Sequence, residues 1–347
     1  MAPKRRAPKR TSGARSRGAD VLPVAVIGAG PCGLAAAAAI ERAGTPCIVF
    51  DRGCIVSSIA SYPIYLTFFS TAEKIAIAGV PFPLAAEKPT RRDALAYYRS
   101  VVTHLGLQVR QYEPVEAVQR RRNAFVLRSR PAGGDAVQTE AQAIVVATGY
   151  FGTPNAIGVP GEALPHVSHL YREGHGAFQR DVVVVGGGNS AAESALDLWR
   201  SGARVTLVHF GPTFDKNIKP WVLPDLQNRL DDGSISVRWN TRVTAIEPGR
   251  VHLEGEDGPG ILPAQHVFLM TGFTPNSELL ESLGVGVDAD SGIPAHDPRT
   301  METTVPGVYI AGVLASGFDA NKVFIENGRD HGALIAKALH RRRLERA

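Results

Sequence analysis

Two stretches of the chain share a pattern in which a short apolar run leads into glycines and then into a helical pattern rich in alanine. The first stretch has an apolar run at 21–27, GAGPCG at 28–33, a helix at about 31–43 and a second apolar run, PCIVFD, at 46–51. The second stretch spans 181–210 and repeats this order. Short runs of β-branched residues are typical of buried parallel strands, so each stretch predicts a strand–helix–strand unit.

The glycines of the first unit have the spacing of a dinucleotide site. Gly28 permits the tight turn, Gly30 lets a pyrophosphate approach the backbone, and Gly33 lets the helix pack against the strand. Pro31 belongs to the same turn, and Asp51, at the end of the second strand, can accept hydrogen bonds from a ribose diol. The helix N-terminus stabilises phosphate charge. Together these residues predict a dinucleotide-binding site.

The second unit repeats the spacing with Gly186, Gly188 and Ala191 at the three positions. Its helix runs to about residue 200, and Asn189 and Ser190 at its start offer donors to a pyrophosphate. Ser190 could instead serve only as a helix cap. We expect a second dinucleotide here.

The strand predicted at 204–210 ends in His209 and Phe210 rather than in an acid. An acid at this place binds the ribose of NAD and repels a 2′-phosphate, so its absence favours NADPH. His209, Lys216 and Lys219 are the basic residues that could bind the phosphate. The alternative is that they face solvent, since the arginine expected for this role is missing.

Three further segments resemble the two-dinucleotide-binding flavoproteins, the superfamily of thioredoxin reductases and monooxygenases. AIVVATGYFGTPN at 143–155, with Thr148 and Gly149 in its turn, and HVFLMTGFTPN at 266–276 are similar to the crossover segments of that superfamily. VPGVYIAGV at 305–313 is similar to its closing flavin strand. The resemblance implies FAD at the first unit and NADPH at the second.

The end of that closing strand departs from the superfamily, which usually has Gly-Asp there. In this chain Gly312 is followed by Val313, which weakens one flavin contact. A C-terminal helix is predicted at 326–343, and its N-terminal end near Asn327 and Gly328 would lie against the flavin pyrimidine.

These segments predict an α/β fold with two Rossmann-like βαβ dinucleotide-binding domains, the nicotinamide domain inserted in the FAD domain. We expect a disordered basic tail at 1–19, an FAD domain from 20–156 and 266–347, and an NADPH domain at 157–265. Between the first unit and the crossover, the sequence predicts a loop at 52–90, a helix at 91–105 and a β-rich stretch at 107–145.

Four segments are more specific than the glycine fingerprints, and they resemble the YpdA-type bacillithiol disulfide reductases. The segments lie at 65–83, 88–101, 218–230 and 319–332, and the resemblance covers essentially the whole chain after residue 20. It implies a thioredoxin-reductase-like flavoenzyme in which NADPH reduces a low-molecular-weight disulfide. It also implies a redox role for Cys32, which matches the cysteine proposed as redox-active in that family.

Cys32 also has a physical argument for this role, because it lies in the first turn of a helix, whose dipole lowers a thiol's pKa. The alternative is that this crowded position needs only a small residue for packing. Cys47 begins a buried strand and is predicted to be core, whereas Cys54 could resolve a mixed disulfide only if the fold brings it to Cys32.

Composition and charge fit a cytoplasmic enzyme. The chain has 347 residues, three cysteines without a Cys-x-x-Cys pair, and no run of about 18 apolar residues that would predict a membrane span. The net charge of +5 is unevenly distributed along the chain, because the first 18 residues carry seven basic residues and no acid. This tail is the only feature that suggests nucleic acid, which is not an expected partner. Three histidines at 166, 169 and 175 lack metal-ligand spacing, so no metal is expected.

The sequence therefore predicts an FAD-dependent oxidoreductase, a homo-oligomer, that uses NADPH to reduce a small-molecule disulfide, either through Cys32 or directly from the flavin. The alternative is a flavin monooxygenase, supported by a stretch with Gly161, His169 and Tyr171 before the second fingerprint. A third hypothesis is a non-catalytic flavin-binding redox sensor whose basic tail contacts nucleic acid.

Overall fold

The computed structural model describes residues 21–122, 124–256 and 258–346. The basic tail predicted at 1–19 lies outside these ranges. None of the helices within them is long and apolar enough to cross a bilayer.

The helices, with two short 3₁₀ turns at His175–Ala177 and Gly312–Ser316, have these bounds: α1 Pro31–Arg42, α2 Ser57–Ser61, α3 Ala72–Ile75, α4 Arg91–Leu105, α5 Asn189–Arg200, α6 Leu223–Asp231, α7 Glu278–Ser282, α8 Ile325–Gly328 and α9 His331–Arg346. The strands are β1 Val24–Ile27, β2 Cys47–Phe50, β3 Val109–Arg110, β4 Val115–Arg120, β5 Phe125–Ser129, β6 Val137–Ala141, β7 Ala143–Val146, β8 Thr153–Pro154, β9 Val167–Ser168, β10 Asp181–Val185, β11 Arg204–Val208, β12 Ile235–Arg238, β13 Thr241–Glu247, β14 Gly249–Gly255, β15 Gly258–Ala264, β16 His266–Leu269, β17 Phe273–Thr274 and β18 Val308–Ile310.

A five-stranded parallel sheet in the order β18-β7-β1-β2-β3 forms the centre of the first unit. All four residues of β1 and of β7 are buried, as expected for strands covered on both faces. Helices α1 and α9 pack closely, since a Cβ added to Gly332 would lie 2.6 Å from the Cα of Ala36. This sheet places the carboxyl ends of β1, β7 and β18 side by side.

A second five-stranded parallel sheet, in the order β12-β11-β10-β16-β9, forms the centre of the second unit. The two sheets have separate hydrophobic cores. The fold class predicted from the sequence, an α/β fold with two Rossmann-like units, is therefore confirmed.

One predicted domain boundary is wrong. Strand β16 was assigned to the first domain, but it pairs with β10 and β9 of the second sheet, so the chain leaves that sheet only after Leu269. A glycine-containing turn after an apolar run occurs in both sheets, so its sequence alone does not assign β16 to either. With that change, the division into two domains stays a prediction.

The two crossover segments pair with each other. Strand β8 is antiparallel to β17, and Asn155 links the two segments further. Its amide donates to the Thr271 carbonyl at 3.1 Å, and the Thr274 hydroxyl donates to its side-chain oxygen at 2.6 Å. The chain therefore passes between the two sheets through a hydrogen-bonded two-stranded connection.

The predicted loop and helix before the β-rich stretch are confirmed in outline. Helix α4 begins after a capping box, in which the Asp93 amide donates to the Thr90 hydroxyl at 3.2 Å, and it ends at Leu105, with Gly106 as its left-handed C-cap. The loop before it holds the two short helices α2 and α3, which the sequence did not predict. Strands β4, β5 and β6 form an antiparallel sheet within the β-rich stretch.

The C-terminal helix predicted at 326–343 is two helices instead of one. Helix α8 ends at Gly328, and α9 begins at His331 after a break at Arg329 and Asp330. The Asn327 side chain caps α8, because it accepts from the Phe324 amide at 2.8 Å and donates to the Lys322 carbonyl at 2.9 Å. Asn327 and Gly328 therefore lie in a one-turn helix and not at the start of the long one.

Candidate active site

The glycine turn of the first unit is required by close backbone contacts. A Cβ on Gly28, whose φ is +116°, would lie 2.2 Å from the Ala147 carbonyl oxygen, and a Cβ on Gly33 would lie 2.0 Å from the Gly28 oxygen. Real Cβ atoms do not come so close, so both positions need glycine. The turn therefore brings the start of α1 directly onto the ends of β1 and β7.

The side of this turn at Gly30 is open. No atom lies within 4 Å of a Cβ built on Gly30, and this residue caps α1 without any side-chain hydrogen bond to the first turn. The first backbone N–H groups of a helix have no partner within the helix, and they attract anions. Helix α1 has 12 residues, begins at Pro31 and has no side-chain cap. Its open N-terminus fits the pyrophosphate of a dinucleotide.

Asp51 follows β2 and holds the turn. Its carboxylate accepts hydrogen bonds from the backbone amides of Ala29 and Gly53, each at 2.7 Å. The Ser57 hydroxyl also donates to this carboxylate, at 3.4 Å. An ionised carboxylate has about four acceptor positions, so about one remains for a ribose hydroxyl. Thr148, exposed at the end of β7, lies on the same edge, and Gly149 follows it with a φ of +76°.

Cys32 lies where α1 meets the C-terminal segment. A Cβ on Gly328 would lie 2.9 Å from the Cys32 sulfur, and a Cβ on Gly312 would lie 3.2 Å from it. The thiol is thus enclosed between the end of the closing strand and the last residue of α8. Both glycines were predicted near the flavin, and the structure places them against the predicted redox cysteine.

The electrostatic environment of Cys32 is opposite to the one expected from the sequence. Burial, and then the negative charge of Asp330, raise the pKa of the Cys32 thiol to about 12. Both effects disfavour the thiolate. The lowered pKa expected for the first turn of a helix is therefore wrong, because the fold buries the thiol and places a carboxylate near it.

The break between α8 and α9 contributes two residues that the sequence did not single out, Asp330 and His331. The Gly312 amide donates to Nδ1 of His331 at 3.1 Å. Burial, and then the charge of His296, lower the pKa of His331, so its ring is neutral when it accepts this bond. The segment 319–332 carried the family resemblance, but its continuous helical pattern gave no sign of the break. At this break His331 turns toward Gly312, whereas Asp330 stays exposed.

The other two cysteines have different surroundings. Cys47 is buried in the first core, as predicted, with burial and then the charge of Glu41 raising its pKa. Cys54 is free and half-buried in the loop after β2. Its role as a resolving thiol stays a prediction.

The second glycine turn repeats the geometry of the first. A Cβ on Gly186, whose φ is +144°, would lie 2.4 Å from the Met270 carbonyl oxygen, and Ala191 is fully buried at the third fingerprint position. Gly188 caps α5 without a side-chain hydrogen bond. This second uncapped helix start fits another pyrophosphate.

Two residues predicted to bind the second dinucleotide have other contacts. The Asn189 side chain donates to the Asn217 carbonyl at 3.0 Å and accepts from the Lys219 amide at 2.8 Å, so it holds the loop after β11. His209 is buried, and a Cβ on Gly187 would lie 2.3 Å from its ring. The His209 ring therefore packs against the buried side of the glycine turn at Gly187 and does not face the site predicted for the 2′-phosphate.

Ser190 and Lys216 are exposed beside this turn and remain available to a ligand. Asp215, next to Lys216, approaches the turn: its backbone amide donates to the Gly187 carbonyl at 3.0 Å, and its carboxylate lies beside Gly188. The sequence did not single out Asp215, because it follows the end of β11 by seven residues.

Aromatic residues connect the two units. The rings of Phe69 and Trp221 are 5.4 Å apart in an edge contact, with Lys88 over the Trp221 ring and Lys219 over the Phe69 ring. Trp221 was expected either to cover a ligand or to pack between the domains, and it makes the second kind of contact while still 61% exposed.

Comparisons with known proteins agree with this geometry. Residues 25–312 match the family described as pyridine nucleotide-disulphide oxidoreductase. The chain is 42% identical to the bacilliredoxin reductase Bdr of Bacillus subtilis (strain 168) over 91% of this chain and 97% of that protein. Among solved structures, the bacillithiol disulfide reductase Bdr from Bacillus cereus matches at 41% identity with a TM-score of 0.90, covering 93% and 100% of the two chains. The corresponding enzyme from Staphylococcus aureus matches at 37% identity with a TM-score of 0.87, covering 93% and 99%.

The fold and its two dinucleotide turns define a flavin- and nicotinamide-dependent oxidoreductase that uses FAD and NAD(P)H. The chain belongs to the pyridine nucleotide-disulphide oxidoreductase family and, within it, to the group of bacillithiol disulfide reductases of the Bdr type. The resemblance stated from the four sequence segments is thereby confirmed.

A pair of glycine variants tests the first dinucleotide turn. Gly33→Ala places a methyl group against the Gly28 carbonyl and is expected to lower the free energy of unfolding by about 1–3 kcal/mol or more. Gly30→Ala meets no atom and should fold normally, but its methyl group enters the pyrophosphate space and should weaken FAD binding at least about tenfold. Thermal unfolding and the ratio of FAD to protein absorbance measure the two effects. Normal FAD content in Gly30→Ala would contradict this placement of the pyrophosphate.

Asp330→Asn tests the pKa of Cys32. Removing the carboxylate lowers the pKa of the thiol, so alkylation of Cys32 by iodoacetamide should become about two- to tenfold faster at pH 8. In the wild type the rate should rise about tenfold per pH unit from pH 7 to pH 9, because the thiolate is the minor form throughout. Mass spectrometry of the Cys32 peptide follows the reaction, and Asp319→Asn, an exposed acid of the same segment, is the control. A plateau in rate below pH 9 would contradict the raised pKa.

Proposed function

We propose that this enzyme uses NADPH to reduce the disulfide of a low-molecular-weight thiol, such as bacillithiol disulfide, through FAD. The observation that carries the proposal is the position of Cys32, whose thiol lies in the first dinucleotide turn and against Gly312 and Gly328. A thiol at this point is next to the segments that close the flavin site. The similarity to the Bdr proteins supports the choice of disulfide.

The residues of the first turn would hold FAD. The turn from Gly28 to Gly33 would bind its pyrophosphate, with Asp51 at the adenosine ribose and Gly312 at the end of the closing strand. The second turn, at Gly186 and Gly188, would bind the pyrophosphate of NADPH. When bound, FAD accepts a hydride from the nicotinamide and passes two electrons to an acceptor.

The overall reaction balances as NADPH, one proton and one disulfide giving NADP⁺ and two thiols. Two routes serve the last step. Either the disulfide would take both electrons directly, or the Cys32 thiolate would attack one of its sulfurs, release the first thiol and leave a mixed disulfide with Cys32. That attack consumes no electrons, so the single electron pair from NADPH, supplied through bound FAD, would cleave the mixed disulfide, release the second thiol and restore the Cys32 thiolate. Because the pKa of Cys32 is raised to about 12, the second route needs its proton removed at the moment of attack.

The residues that favoured a monooxygenase have structural contacts instead. A Cβ on Gly161, whose φ is +87°, would lie 1.9 Å from the Ile246 carbonyl oxygen. His169 pairs with Glu162 at 3.1 Å, and the buried Tyr171 bonds to Asp197. These contacts account for the stretch without any role at a cofactor, which favours the reductase.

The relatives' names differ in the acceptor, one giving a bacilliredoxin and the others bacillithiol disulfide. We infer that the acceptor of this chain is the small-molecule disulfide, and that the enzyme is a cytoplasmic homo-oligomer. The basic tail, which carried the nucleic-acid hypothesis, lies outside the described residues.

Anaerobic stopped-flow spectroscopy tests the reaction and the role of Cys32 together. The FAD-loaded enzyme is reduced with NADPH and mixed with bacillithiol disulfide, and flavin reoxidation is followed in the wild type, in Cys32→Ala and in Cys54→Ala, which tests the predicted resolving thiol. Wild-type reoxidation that is lost only in Cys32→Ala supports the thiol route. Reoxidation that survives in Cys32→Ala supports direct transfer and removes the cysteine from the mechanism. No reoxidation in the wild type, with a long-lived oxygenated flavin on admitting air, would overturn the reductase in favour of a monooxygenase.

A further inference from the structure

Two aromatic side chains, His209 and Phe210, follow β11 directly. Their ring centroids lie 4.7 Å apart, with His209 buried under the glycine loop and Phe210 on its solvent side. Phe210 is 62% exposed. It lies just past the carboxyl end of the second strand of this unit, where NAD-binding proteins place the acid that binds the adenosine ribose.

An arginine from another strand covers the Phe210 ring. The guanidinium carbon of Arg242, the second residue of β13, lies 4.8 Å from the ring centroid. The neighbour of Arg242 across the strand pair is Glu254, yet the guanidinium lies on the aromatic ring. A cation over a ring gains electrostatic attraction that holds the side chain in place.

Backbone hydrogen bonds fix the start of β13 to the segment after β11. The Thr241 amide donates to the His209 carbonyl at 3.0 Å, and the Asn240 amide donates to the Gly211 carbonyl at 3.1 Å. These bonds keep the backbone at Arg242 beside the segment that carries Phe210, so the exposed Arg242 side chain lies within reach of the ring.

We infer that Arg242, positioned by Phe210, binds the 2′-phosphate of NADPH at the carboxyl end of β11. The inference rests on the proposed use of NADPH and supplies the arginine that the sequence lacked at its usual position. A guanidinium binds phosphate with two parallel hydrogen bonds, which a lysine cannot do. Neither 209 nor 210 is an acid, and this is the usual place of the acid that repels a 2′-phosphate.

Two neighbouring residues offer rival arrangements. Lys216 is exposed on the loop that packs on the second turn, and it was the phosphate ligand expected from the sequence. The Asp215 carboxylate lies beside Gly188, where a Cβ would approach it to 3.2 Å, and an acid there could accept the 2′-hydroxyl of NADH. If Lys216 binds the phosphate, Lys216→Ala and not Arg242→Ala should weaken NADP⁺ binding. If Asp215 accepts the ribose hydroxyl, the wild-type enzyme should prefer NAD⁺.

Isothermal titration calorimetry of the FAD-loaded protein with NADP⁺ and with NAD⁺ separates these arrangements. Arg242→Ala should weaken NADP⁺ about 10- to 100-fold and change NAD⁺ by less than about twofold, since only the phosphate contact is lost. Arg242→Lys should recover part of the loss, and Phe210→Ala should weaken NADP⁺ about two- to fivefold. The control is Arg250→Ala, which removes an exposed arginine of the adjacent strand β14 that pairs with Glu247.

The outcomes distinguish the inference from the proposed function. NADP⁺ affinity that is unchanged in Arg242→Ala but reduced in Lys216→Ala would overturn the role of Arg242 and leave the NADPH-dependent reductase intact. Equal losses of NADP⁺ and NAD⁺ in Arg242→Ala would also overturn it, because they indicate a structural role. A wild-type preference for NAD⁺, removed by Asp215→Asn, would overturn both the inference and the proposed use of NADPH.

Discussion

The flavin end of the molecule depends on how closely α1 approaches the backbone around it. Gly33 lies on the Gly28 carbonyl, Gly332 lies on the backbone of Ala36, and Gly312 and Gly328 lie on Cys32. Without these glycines the strand ends, the short helix α8 and the start of α9 could not meet at one point. The same closeness leaves the N-terminus of α1 open on its outer side at Gly30, where a pyrophosphate finds unpaired N–H groups.

This close packing also determines the chemistry available to Cys32. A small side chain was expected for packing reasons and a reactive thiol for electrostatic ones, and the structure satisfies the first condition while opposing the second. Cys32 is a half-buried residue whose pKa is raised by burial of the thiol and by the charge of Asp330, so it is rarely ionised and alkylates slowly.

Those elements of the fold that depend on a local residue pattern could be predicted from the sequence. Both glycine turns and their helices follow from the glycine spacing, and α4 lies at the predicted residues 91–105, where Thr90 caps it. Features that depend on tertiary contacts could not be predicted from the sequence. The partner of β16, the burial of His209 under Gly187 and the break at Asp330 depend on elements distant in the chain. The contact of Arg242 with Phe210 joins residues of two separate strands, so no local motif signals it.

The two dinucleotide turns, held on two sheets joined by the paired strands β8 and β17, would hold FAD and NADPH so that electrons pass from NADPH to a disulfide. The most direct test counts products in anaerobic turnover with bacillithiol disulfide. Two thiols should form for each NADPH oxidised. Admitting oxygen should leave the rate of thiol formation unchanged. NADPH oxidation that requires oxygen, consumes it and yields no thiol would contradict the account.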